Sequence, residues 1–174
     1  PWPEKPESRS ALGPCPGTAT AMAVAELASQ QKLLVVVVSS SASAAALERE
    51  LPLFSSAPLN ILTLPDWETL PYDNFSPHQD IVSERLATFH QLQDIATGIL
   101  IVPITTLMQR TPPVHYVAGN SLVLDVGQAL DSKTLIHNLT LNGYRAVDTV
   151  YEHGEYAVRG SLLDIFPMGS QAPY

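Results

Sequence analysis

Leu33-Leu34-Val35-Val36-Val37-Val38 is the stretch from which the rest of the chain is read. Six apolar residues follow one another, mostly β-branched and without alternation, which is the pattern of a parallel strand covered on both faces. The run is far short of the roughly 20 residues needed to span a bilayer. Ser39-Ser40-Ser41 ends it. Upstream, Thr18 to Gln30 is rich in alanine, with Met22, Val24 and Leu27 interspersed, and reads as a helix whose small residues permit close approach. Downstream, Ala42 to Ala46 with Leu47 and Leu51 form a second helix, and Leu59 to Leu64 a second strand.

Further on, Ser76-Pro77-His78-Gln79 combines an N-cap, a proline at N1 and a glutamine at N3, a composite helix start. Val82, Leu86 and Phe89 would then face inward while Asp80, Ser83, Glu84 and Gln91 meet water, with the helix ending near Gln91. Ile99 to Val102 is a third buried strand, and Ile104 to Arg110 a short helix behind Pro103. Strand and helix alternate, the mark of an α/β domain. The irregular stretch Pro65 to Asp80 is expected to be an ordered loop.

Thr111-Pro112-Pro113 breaks the pattern, because paired prolines remove backbone donors and force extended geometry. Beyond it the order changes to α+β. Leu122 to Val126 reads as a strand, and Asp131 to Leu141 as a helix capped by Asp131 and closed by Gly143. Strands at Val147 to Tyr151, Glu155 to Arg159 and Ser161 to Phe166 would make a small antiparallel meander, with Glu152-His153-Gly154-Glu155 and Gly160 as its turns. Residues 1–16 hold five of the fifteen prolines and read as an extended lead-in. The start on Pro1 and the stop at Tyr174 suggest a piece of a longer protein.

Composition narrows the chemistry. Nine Lys and Arg against seventeen Asp and Glu give a net charge of −8, and no window gathers three basic residues, which argues against an autonomous nucleic-acid-binding module. With 45% hydrophobic and 15% charged residues, the 174-residue chain can bury enough apolar surface to fold. The single cysteine, Cys15, excludes an internal disulfide and fits a reducing compartment; no secretory leader or membrane span is visible.

Gly13-Pro14-Cys15-Pro16-Gly17-Thr18 stands where an α/β fold might carry a phosphate loop. It lacks the required lysine, and two prolines remove amides that such a nest would use. Gly13, Gly17 and Thr18 are therefore read as a degenerate loop not expected to bind nucleotide. The histidines, at 78, 90, 115, 137 and 153, show no metal-ligand spacing, and G-x-S-x-G is absent. No catalytic residue, metal or cofactor is expected. Asp66, Glu68 and Asp73 cluster among Trp67, Tyr72 and Phe75, either as a carboxylate site or as a solvated loop anchored by aromatics. Arg159, on the strand face with Glu155 and Ala157, is a candidate interface anchor, since a guanidinium is well suited to that role.

Asp66-Trp67-Glu68-Thr69-Leu70-Pro71-Tyr72-Asp73-Asn74-Phe75-Ser76-Pro77-His78-Gln79-Asp80-Ile81 resembles the N-terminal region of the bacterial transcription-repair coupling factors, the Mfd family. The resemblance continues through Leu100-Ile101-Val102-Pro103, Leu107-Met108-Gln109-Arg110, Glu152-His153-Gly154-Glu155-Tyr156 and Leu163 to Ser170. It implies a Rossmann-like parallel-sheet domain over residues 17–110, similar to domain 1a of the repair protein UvrB but with degenerate helicase machinery. Residues 111–174 would be a truncated α+β domain similar to UvrB domain 2.

By the same resemblance, the second domain recruits UvrA where RNA polymerase has stalled. Arg159, in Arg159-Gly160-Ser161-Leu162-Leu163-Asp164-Ile165-Phe166-Pro167, is the contact residue carried over. RNA polymerase and DNA would be engaged only by other parts of the longer family protein, an ATP-driven translocase of the bacterial cytoplasm. This region itself would be noncatalytic. Two alternatives stand beside that reading: a UvrB-type ATP-dependent helicase fragment, in which Trp67, Tyr72 and Phe75 stack on bases, and a scaffold inert on its own.

Overall fold

The computed structural model describes residues 8–30, 33–55, 57–70, 72–119 and 126–174. They form two compact units, one built from Pro1–Asp66 and Ile95–Gln109, the other from Trp67–Asp94 and Arg110–Tyr174.

The first unit runs α1 (Ala19–Ala28), β1 (Leu33–Val38), α2 (Ser41–Glu50), a 3-10 turn at Leu51–Phe54 and β2 (Ile61–Thr63). After the excursion through the second unit it resumes with β3 (Gly98–Pro103) and α4 (Ile104–Leu107). The sheet order is β1-β3-β2 and both pairings are parallel, with Val35 opposite Leu100 and Leu62 also opposite Leu100. Ala21, Val24 and Ala25 of α1 and Ala44 and Leu47 of α2 pack with Leu51 on the face that carries Leu34, Val36, Ile99 and Ile101. Alanines on both helices let them lie close to the sheet. The side chain of Ser40 opens α2 by accepting from the Ser43 amide at 3.1 Å.

The expectation of a doubly covered strand holds for β3 and fails for β1. In β3 the neighbours Ile101 and Val102, which point to opposite faces, are both buried. β1 is an edge strand, and both helices cover the same side of it. Val35 and Val37 on its other side stay 49% and 47% exposed. Gly98 fixes the entry to β3, since a Cβ there would lie 2.6 Å from the Asn60 carbonyl oxygen and 2.8 Å from Ile95 Cδ1. That carbonyl accepts the Ile99 amide at 2.8 Å, so neither group can retreat without loosening the sheet. Gly98→Ala is expected to cost about 2 kcal/mol of stability, read as a lower urea midpoint at unchanged slope.

The second unit contains α3 (Gln79–Asp94), α5 (Val114–Gly119), α6 (Ser132–Leu141), β4 (Arg145–Ala146), β5 (Glu155–Arg159) and β6 (Leu162–Phe166). Helix α3 begins later than the Ser76-Pro77 signal suggests. His78 serves as its cap, its carbonyl accepting the Val82 amide at 3.2 Å and its Nδ1 the Asp80 amide at 3.3 Å. The helix continues to Asp94, past the expected end at Gln91. Its most buried residues are Ser83, Arg85 and Thr88. Ser83 thus faces inward rather than toward water, and polar packing replaces the expected apolar stripe, with Val82, Leu86 and Phe89 half-buried. Arg85 is only 1% exposed, with its guanidinium carbon 4.0 Å above the Trp67 ring.

Asp131 caps α6 as expected, accepting from the Lys133 amide at 3.2 Å. Gly143 ends it at φ +83°, where the Tyr144 amide reaches back to the Leu139 carbonyl at 2.9 Å. Leu135 and Leu139 of α6 pack on Tyr156 and Ile165. Two expectations for the sheet are corrected. Residues 147–151 are not a strand; the strand at this point is the two-residue β4, which pairs parallel with β5. The sheet, ordered β4-β5-β6, is therefore mixed rather than an antiparallel meander. The cause is local, because the Glu155 carboxylate draws the amides of Tyr151 and Glu152 into a closed loop. The strand expected over Leu122 to Val126 falls, except for its last residue, outside the described residues; Val126 lies in a turn.

Candidate protein-interaction hairpin

β5 and β6 form an antiparallel hairpin in which Arg159 pairs with Leu162 and the two-residue turn Gly160-Ser161 closes the tip. Gly160 sits at φ +65°, a conformation that an L side chain resists, and this suits the tight connection. Alternation places Arg159 on the face shared by Ala157 and, across the ladder, Asp164. The Arg159 Nη2 donates to the Asp164 carboxylate, which orients the guanidinium while its side chain stays 60% exposed. Leu162, its cross-strand partner, is exposed on the same face, and Val158 is exposed on the opposite one. The tip thus offers one oriented cation beside an exposed apolar side chain, a combination suited to a protein partner.

The base of the hairpin is held by a different set of contacts. Buried Glu155 accepts from the amides of Tyr151 and Glu152, each at 2.9 Å, and from Arg145 Nη2 at 3.1 Å. The Tyr151 amide, then the Glu152 amide and lastly Arg145 hold its carboxyl below the usual carboxylate range against the opposing effect of burial. His153, with a mostly buried side chain, directs Nδ1 to Asp80 and Nε2 to the Ser170 carbonyl, both at 2.9 Å. A shallow, open groove beside β5 is lined by Ala146, Val147, Asp148, Tyr156 and Val158.

Gly13 lies in exposed irregular chain, and Gly17 and Thr18 in the exposed turn that leads into α1. A Cβ at either glycine would meet nothing within 4 Å, and Thr18 makes no side-chain cap. The acidic cluster is divided between the two units. Asp66, in the first, accepts from Thr105 Oγ1 at 2.5 Å, whereas Asp73, in the second, accepts the Leu70 amide at 2.7 Å. Its role is loop construction. Among the described residues, no group of three or more His, Cys, Asp and Glu is placed to hold a metal ion. No described helix is long and apolar enough to cross a membrane.

No sequence motif marks Arg85, Glu155 or His153 individually as a site residue. Glu155 and His153 did sit in the Glu152-His153-Gly154-Glu155 turn motif, whereas Arg85 on an amphipathic helix carried no signal of burial.

Residues 122–174 match the UvrB interaction domain. Across 99% of its length the chain is 47% identical to the transcription-repair-coupling factor of Escherichia coli K12, and equally to that of Haemophilus influenzae. It is 36% identical over 61% of its length to the corresponding protein of Myxococcus xanthus. The chain spans 15% of the length of each of the first two relatives and 9% of the third.

Proposed function

From the premise that this chain belongs to the transcription-repair-coupling factor family, we propose that it is a noncatalytic interaction module that recruits UvrA in transcription-coupled repair. Residues 111–174 act as a UvrB domain 2-like unit and present the surface that UvrB also offers to UvrA. Residues 17–110 act as a Rossmann-like support similar to UvrB domain 1a, with the loop at Gly13, Gly17 and Thr18 no longer serving nucleotide binding. RNA polymerase and DNA are partners of other parts of the longer relatives.

The observation that carries this reading is the placement of Arg159. It lies within the segment matching the UvrB interaction domain, at the tip of a hairpin, oriented by Asp164 and open to a partner. An arginine held in one geometry gives up less side-chain entropy on docking, a cost that otherwise reaches about 1 kcal/mol for a mobile chain. The test is calorimetric titration of the chain into purified UvrA beside Arg159→Glu. Saturable binding that the substitution removes supports the reading; equal binding by both proteins, or by neither, overturns it.

A further inference from the structure

The Arg159 hairpin takes its direction from its base, and the base is fastened to a helix outside the segment that matches the UvrB interaction domain. Asp80, Ser83 and Ala87 stand at i, i+3 and i+7 of α3, on one face. Each meets the loop that leads into the hairpin or the turn that follows it. Asp80 Oδ1 lies 2.9 Å from His153 Nδ1, and Ser83 Oγ accepts the Gly169 amide at 2.7 Å. Gly169 lies against Ala87, where a Cβ on the glycine would come to 3.4 Å from the alanine Cβ, van der Waals contact.

His153 joins the two ends of the ladder. Its other nitrogen faces the Ser170 carbonyl at 2.9 Å, and its ring lies 4.1 Å from the Phe166 ring. The adjacent Gly154 amide closes the ladder on the Phe166 carbonyl at 2.9 Å. We infer that His153 and Asp80 form a clasp that sets the pitch of the hairpin, making α3 a positioning element of the partner-binding surface; this rests on the reading of Arg159 given above.

Geometry supplies the leverage. Arg159 stands five residues beyond Gly154, about 16 Å along an extended strand, so a tilt of about 10° at the base displaces the tip by about 3 Å. That exceeds the span over which a hydrogen bond keeps its strength. Most of the clasp is polar and directional, so it fixes one pitch where an apolar contact alone would tolerate several.

The test compares UvrA binding by the parent chain, Asp80→Ala, Asp80→Asn, His153→Phe and Arg159→Glu, with the Arg159 Nε resonance followed by NMR below each melting midpoint. Asp80→Asn keeps the Oδ1 acceptor. His153→Phe keeps a ring on Phe166 but loses both polar links. Asp80→Ala and His153→Phe are expected to weaken binding roughly tenfold and to shift the Arg159 resonance, while Asp80→Asn stays within about twofold of the parent. Parent-like binding by both Asp80→Ala and His153→Phe, with Arg159→Glu defective, overturns the clasp and leaves the hairpin reading standing. Parent-like binding by Arg159→Glu overturns the hairpin reading itself. Should Asp80→Ala not fold, the contrast between Asp80→Asn and His153→Phe decides, and equal affinity of those two overturns the clasp.

Discussion

Arg159→Glu is expected to weaken UvrA binding at least about 30-fold, the equivalent of about 2 kcal/mol, while leaving the fold intact. The two effects separate because they depend on different partners. Within the chain Arg159 engages Asp164 in an ion pair that is largely exposed, and such pairs contribute at most about 1 kcal/mol to stability. At an interface the same guanidinium would be desolvated against a partner group, where removing it leaves that group unpaired. Glutamate adds like-charge repulsion with Asp164, so Arg159→Lys is the informative companion. Lysine keeps the charge but not the planar fork, and intermediate affinity would identify fork geometry as the feature UvrA reads. Unfolding free energies from urea titrations of the three proteins should agree within about 1 kcal/mol; a larger drop would mean that lost binding reports lost structure.

The sequence makes the elements more legible than their surroundings. The run Leu33 to Val38, the helix capped by Asp131 and the hairpin strands around Gly160 all lie where local pattern puts them, because each is specified by residues adjacent in the chain. The one-sided coverage of β1 is not legible, since a β-branched run looks the same in an edge strand as in a central one, and only the sheet order distinguishes them. The stretch from Val147 to Tyr151 misleads for a related reason. Its β-branched and aromatic residues suit a strand, and the Val147 amide still bonds the Tyr156 carbonyl, yet the Tyr151 amide at its far end turns to the Glu155 carboxylate instead of a neighbouring strand.

Local pattern places Arg159 on a strand and His153 and Glu155 in the preceding turn, but it says little of the side chains that pack beneath them. Ser83 and Arg85 look like solvent-facing residues on a helical wheel, but Ser83 receives a backbone amide and Arg85 lies over Trp67. This bears on the helicase alternative, because the Trp67 face that would stack on a base is occupied by Arg85. Tyr72 and Phe75 remain open, in a loop whose charged residues are acidic, a poor environment for a phosphate backbone.

Glu155→Ala is expected to lower the stability of the chain by about 3 kcal/mol, because it removes one buried acceptor that serves three donors. The amides of Tyr151 and Glu152 would lose the partner that closes their loop, and Arg145 would keep only Glu152. The sign of the pH dependence follows from the same contacts. These donors hold the folded-state carboxyl below its ordinary value, so its contribution is fully present above about pH 4.3 and is lost as pH falls through the lowered folded value. Urea midpoints measured from neutral pH downward should therefore fall for the parent in that acid window. Glu155→Gln should start lower at neutral pH and lose less on acidification, since an amide has no proton to gain. If Glu155→Ala and the parent coincide within about 0.5 kcal/mol at neutral pH, the carboxylate does not hold the loop, and the displacement of residues 147–151 from strand geometry needs another cause.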